Sequence, residues 1–137
     1  MKLPNPLVSI ILPVYNAANF LNDAIDSILT QTFTGFEFII IDDGSTDNSL
    51  EIIQQKASSD ERIIFFSREN KGLTYTLNEM ISKANGQYIA RMDADDISFP
   101  NRLALQVELL ESTKSDICGG HYLAIDEQDK KIDSILV

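Results

Sequence analysis

Two short runs, Val8-Ser9-Ile10-Ile11-Leu12 and Phe36 to Ile41, are dominated by β-branched and aromatic side chains. Such composition over so few residues is expected of strands covered on both faces, as in a parallel sheet. Between them Leu21, Ala24, Ile25, Ile28 and Leu29 recur at helical spacing. A strand, a helix and a second strand in that order form a crossover, which makes the strands parallel.

The alternation continues. Ser49 to Ala57 reads as a helix, Arg62 to Phe66 as a strand, and Leu73, Leu77, Met80, Ile81 and Ala84 as the apolar face of a helix that Gly86 stops. Gln87 to Met92 supplies another strand, and Pro100 suits the first turn of a helix carrying Leu103, Val107 and Leu110 on one face. The fold class that follows is α/β, a doubly wound, mostly parallel sheet flanked by helices. Beyond it, Asp116 to Ile125 reads as a strand and Glu127 to Lys130 as a turn into a hairpin partner, Lys131 to Val137. At 137 residues a chain buries roughly two thirds of its unfolded surface, enough for one core. With no repeat and no linker, a single domain is expected.

Eleven Lys and Arg against 21 Asp and Glu give a net charge of -10. A surface that acidic repels phosphate backbones and anionic lipid, so no nucleic-acid partner is expected. A lone cysteine, Cys118, rules out an internal disulfide and agrees with a reducing, cytoplasmic setting. The apolar run from Leu7 is short and broken by Ser9 and Pro13, unlike a signal peptide or a membrane span. Membrane contact is expected only through regions outside these residues, peripherally at the inner face of the cell membrane.

In an open α/β sheet, ligands bind beyond the carboxyl ends of the strands, where strand order reverses. The unusual residues lie at those ends: Pro13-Val14-Tyr15-Asn16, Asp42-Asp43-Gly44-Ser45-Thr46-Asp47 and Asp93-Ala94-Asp95-Asp96. Like charges as close as Asp93, Asp95 and Asp96 raise one another's pKa. A hard divalent cation, Mg or Mn, removes that cost, taking one or two carboxylates and filling its shell with water and substrate phosphates. The same acids also suit the N-terminus of the helix starting near Pro100, and the residues alone leave both readings open. Ser45 to Asp47 reads as a turn in which Ser45 or Thr46 caps the next helix. That leaves Asp42 and Asp43, where a carboxylate can accept a base N–H. Tyr15 is either a core aromatic or a ring face for a base. In Asn70-Lys71-Gly72 the glycine permits close backbone approach and the lysine can meet a phosphate, with a plain loop as the alternative. Cys118 reads as a small buried side chain, His121 as a structural or surface histidine, and Gly119-Gly120 as a close backbone approach or a bulge.

Taken together, Pro13 to Asn16, Asp42 to Asp47, Asn70-Lys71-Gly72, Asn78, Ala84-Asn85-Gly86 and Arg91-Met92-Asp93-Ala94-Asp95-Asp96, in this order and spacing from about Val8 to Gly119, resemble the family-two glycosyltransferases. The resemblance implies a GT-A fold, a nucleotide-diphosphate sugar donor, a divalent Mg or Mn ion, a saccharide or lipid-linked acceptor and inversion at the anomeric carbon. It puts Pro13, Val14, Tyr15, Asn16, Asp42, Asp43, Asn70, Lys71, Gly72, Asp93 and Ala94 in the nucleotide-sugar site. Within it Pro13, Tyr15 and Asp43 line the base and ribose pocket, Asp93 contacts ribose or diphosphate, and Asp95, with Asp93, ligates the metal.

Two departures stand out. Many members carry an arginine just before the counterpart of Asn78, where this chain has Leu77. The family's catalytic base is an acid on a later segment with no counterpart here, so the base is expected beyond Val137. The chain is expected to be the N-terminal part of a longer enzyme, truncated at its C-terminus and inactive in transfer by itself. Three other readings compete. A nucleotidyltransferase-like enzyme needs a glycine-rich loop with a basic residue where Tyr15-Asn16-Ala17-Ala18 stands, and a response-regulator-like or other doubly wound binding module gives Asp93 to Asp96 no role; a non-catalytic nucleotide-binding module stays open.

Overall fold

The computed structural model describes residues 5–132. Strands β1 (Val8–Val14), β2 (Phe36–Asp43), β3 (Ile63–Arg68) and β4 (Tyr88–Arg91) alternate with helices α1 (Ala18–Leu29), α2 (Ser49–Ser59), α3 (Leu73–Lys83) and α4 (Arg102–Thr113). All pairings are parallel, in the order β3-β2-β1-β4. The first three strands are laid down in one direction and β4 returns to the far side of β1. Strand order therefore reverses between β1 and β4, and all four carboxyl ends share one edge.

The central strands β1 and β2 are buried almost throughout, whereas β3 and β4, outermost in the sheet, are half-exposed. This is why the first two read so clearly as apolar runs. On one face Ile11, Ile39 and Ile41 pack with Met80 of α3, flanked by Leu77 and Ala84. Ile10, Leu12, Phe38 and Ile40 alternate to the other face and are equally buried, as are Leu21, Ile25 and Ile28 of α1 and Ile53 of α2. Each such side chain contributes about 1.5–3 kcal/mol of transfer free energy.

Three expectations are corrected here. The buried face of α3 is Thr76 and Met80, with Leu73 and Ile81 about half-exposed; the helix meets the sheet along a narrower stripe than its apolar residues cover. Gly86 does not end α3, which stops at Lys83. Its role is steric, because a Cβ there would lie 2.5 Å from the Ser9 amide nitrogen of β1. Asp116 to Ile125 forms no strand; the pairing is one antiparallel bridge, Ile125 with Lys131, around a turn in which the Asp126 carboxylate accepts the amides of Gln128 and Lys130. A two-stranded ribbon with little to pack on is marginal in water. Residues 133–137 of the expected partner strand lie outside the described residues.

The chain divides into two compact units, one reaching to Ala104 and one beginning at Leu105. No helix among the described residues is long and apolar enough to cross a membrane. His121 is exposed and Cys118 half-buried, its Sγ 3.9 Å from the Gln106 carbonyl. Gly119 faces open space, and a Cβ on Gly120 would meet only the Gln106 side chain, at 3.7 Å, so neither is a close backbone approach.

Candidate functional site

Three strand-end loops are hydrogen-bonded into one rim. The loop after β1 leans on the loop after β2: the Asn16 amide donates to Ser45 Oγ at 2.9 Å, and the Thr46 amide returns to Asn16 Oδ1 at 2.7 Å. Asn16 takes a left-handed conformation, φ 49°, which asparagine tolerates better than most residues. The Ala17 amide donates to Ser49 Oγ, while Asp47 accepts the amides of both Ala18 and Ser49. Asp47 thus caps the starts of α1 and α2 together. Ser45 and Thr46, expected to cap α2, are turned toward Asn16 instead. Tyr15, at the tip, is 55% exposed and so is no core aromatic.

The loop after β2 is joined in turn to the one after β3. Asp42 is 2% and Asp43 4% exposed. Asp42 accepts Ser67 Oγ at 2.8 Å and the Ser45 amide at 3.2 Å. Asp43 accepts the amides of Lys71 (2.8 Å) and Gly72 (3.0 Å) and is paired with Arg68, its register partner on β3. Burial alone would raise the Asp43 pKa, but the Lys71 amide, the Arg68 guanidinium and the Gly72 amide outweigh it and hold the carboxyl below its usual value. Asn70 Nδ2 donates to the Asp43 carbonyl. The glycine that permits close approach is Gly44, where a Cβ would meet the Asn70 nitrogen at 2.6 Å. Gly72 faces open space and is needed for its φ of 87°.

The acidic loop after β4 is built differently. Asp93 is ion-paired with Arg91 at 3.1 Å. Burial, then the charges of Asp95 and Asp93, push the Asp96 carboxyl up, while Arg102 opposes them. The Asp95 side chain is exposed. Among the described residues no group of three or more His, Cys, Asp or Glu side chains is arranged to hold a metal ion. Among the described residues there is no all-protein cage, but an exposed carboxylate beside a second one fits magnesium or manganese, which takes one or two carboxylates and leaves the rest of its shell to phosphates and water.

Several residues of this edge escaped the sequence reading. Arg68 bridges Asp43 to Glu79 and Thr76 of α3. Tyr75 carries the Lys71 ammonium 4.8 Å above its ring, so that lysine is already occupied by a cation–π contact. Gln31 and Arg102 fasten the far side of the acidic loop. Arg91, two residues from Asp93, was by contrast part of the motif read in the sequence.

The family model for glycosyl transferase family 2 matches residues 9–135. The chain belongs to that family. Similar proteins include the putative glycosyltransferase EpsE of Bacillus subtilis, 42% identical over 125 residues, which are 89% of this chain and 45% of that protein. An uncharacterized glycosyltransferase of Rickettsia bellii is 41% identical over 128 residues, 93% of this chain and 18% of that one. Among solved structures, Staphylococcus aureus TarS 1-349 in complex with UDP-GlcNAc superposes with a TM-score of 0.74 at 26% identity, covering 85% of this chain and 33% of that one. The Pyrobaculum calidifontis mannosyltransferase PcManGT in complex with GDP-Man and Mn2+ gives 0.72 at 26%, covering 77% and 32%. The sheet with its flanking helices is that of the GT-A glycosyltransferases. The chain spans less than half the length of each of these proteins.

Proposed function

We propose that this chain binds the nucleotide-diphosphate sugar donor of a glycosyltransferase that delivers the sugar, with inversion, to a saccharide or lipid-linked acceptor. The observation that carries the reading is the rim itself: in a family-2 chain, three strand-end loops are bonded together at the sheet's carboxyl edge, beside the acidic loop at the β1/β4 reversal. Tyr15 offers an exposed ring face, Asp42 and Asp43 offer fixed acceptors, and Pro13, Val14, Asn16, Asn70, Lys71, Gly72, Asp93 and Ala94 complete the lining. The GDP-Man and UDP-GlcNAc complexes of the similar structures support the donor class. Asp95, with Asp93, would hold magnesium or manganese. Bound there, the ion supplies positive charge at the departing diphosphate.

Calorimetric titration with the diphosphates of uridine, guanosine, adenosine, cytidine and thymidine, each with and without Mn2+, tests this. At least one is expected to bind with a manganese-dependent gain that Asp95→Ala abolishes without unfolding the chain. Asp43→Asn is expected to weaken binding by about 1.5–3 kcal/mol, the scale of a hydrogen bond to a charged group, and to relax the preference among bases. If the wild-type chain binds none of the five, the reading is wrong.

A further inference from the structure

We infer that Arg102 is a positioning residue that fixes the acidic loop so that Asp95 is presented to a metal-bound diphosphate; the inference rests on the donor-binding reading above. Arg102 is the first residue of α4, and its guanidinium reaches back across the loop. Nη2 donates to the Arg91 carbonyl at 2.8 Å, and Nη1 to Ser98 Oγ at 3.0 Å and Met92 Sδ at 3.5 Å. These acceptors bracket the segment from Met92 to Ser98, which carries Asp93, Asp95 and Asp96. Ser98 Oγ also donates to Met92 Sδ at 3.3 Å, so the two ends are tied to each other as well as to the arginine.

The base of this loop is anchored from α1 and from Gln31, just beyond the end of that helix. The Ser98 amide donates to Ser27 Oγ, Gln31 Nε2 donates to the Phe99 carbonyl at 2.7 Å, and Gln31 Oε1 accepts the Leu103 amide at 3.0 Å. Met92, Ser98, Gln31 and Leu103 are all buried while Asp95 and Asp96 are exposed, which gives a fixed base and an open tip. A planar guanidinium can serve several acceptors in fixed directions, which an ammonium cannot. Arg91 pairs with Asp93, and Asp95 stands exposed at the tip. An ion that keeps only one or two carboxylates depends on how firmly those are aimed, and loss of an outer partner typically weakens metal binding by about 10–100-fold.

The test uses Arg102→Met and Arg102→Lys in the 137-residue chain, titrated with the same five nucleoside diphosphates with and without Mn2+, alongside thermal melting by circular dichroism. Arg102→Met is expected to bind the nucleotide without manganese as the wild type does, and to lose about 10–100-fold of the manganese-dependent gain. Arg102→Lys is expected to recover part of it. A manganese-dependent gain in Arg102→Met equal to that of the wild type overturns the inference. So does an equal loss with and without the ion, the mark of a merely structural role, and so does a wild-type chain that binds nucleotide with no such gain. If Arg102→Met fails to fold, Ser98→Ala, which removes the Nη1 oxygen acceptor and spares the Arg91 carbonyl contact, is read by the same criteria with a smaller loss expected. A wild-type chain that binds none of the five takes the donor-binding reading down together with this inference.

Discussion

Asp43 ends β2 opposite Arg68, and both of its carboxylate oxygens are engaged, Oδ1 by the Lys71 amide and Arg68, Oδ2 by the Gly72 amide. Its pKa lies below the ordinary carboxylate value. A carboxyl whose folded pKa is lower than its unfolded one stabilises the fold at pH above the unfolded value, and that contribution drains away as the pH falls through the folded value. Stability from Asp43 should therefore be complete at neutral pH and decline below about pH 4. Asp43→Asn would set an NH2 group against a backbone amide or the guanidinium, leaving a donor unpaired. It is expected to lower stability at pH 7 by about 1–3 kcal/mol. Urea unfolding at pH 7 and pH 3 checks this, since the difference between the two proteins should narrow at the lower pH. A difference that stays constant would show that the ionised form is not what holds the Lys71–Gly72 loop.

Among the elements, α1 and α2 share one cap. Neither the Ala17 nor the Asn48 side chain makes a cap hydrogen bond, and the first free amides of both helices are served from Asp47 and Ser49. Removing a cap typically costs about 1 kcal/mol, so Asp47→Ala is expected to cost about 1–2 kcal/mol. Amide hydrogen exchange should quicken at both Ala18 and Ser49; acceleration at one helix alone would contradict the shared cap. β1 and the turn before β4 are coupled by contact as well. The Gly86 amide donates to Ser9 Oγ, and Ser9 Oγ donates to Glu37 Oε1, which also accepts the Asn85 amide. Gly86→Ala would push a methyl into the β1 backbone, which cannot yield without disturbing the sheet. A loss of at least about 2 kcal/mol is expected, read as a lowered denaturation midpoint with unchanged slope.

For the molecule as a whole, donor binding should appear as stability. A ligand at about 100 times its dissociation constant, bound only by the folded state, adds about 2.7 kcal/mol. Uridine or guanosine diphosphate with Mn2+ is expected to raise the melting temperature, and a chelator to remove most of the rise. A rise that survives the chelator would separate nucleotide binding from the acidic loop.

The alternation of strands and helices was legible in the residues because burial on both faces turns a central strand into a contiguous apolar run, as in Val8 to Leu12, and a parallel crossover needs a helix of readable period between two such runs. The polar clusters could be placed at the strand ends for the same reason. The acid run from Asp93 to Asp96 and the two carboxylates after β2 stood out because unpaired charge seldom follows an apolar strand without a use. What touches these groups was decided by the tertiary structure. Arg68 meets Asp43 only through the β2–β3 register, 25 positions along the chain. Asp47 reaches α1 across 29 positions and Gln31 the start of α4 across 72. Such partners leave no local periodicity to read. The tail shows the converse, since its strand-like pattern from Asp116 to Ile125 came to a single bridge: a strand exists only where a neighbour completes its hydrogen bonds, and that is a property of the folded chain rather than of the segment.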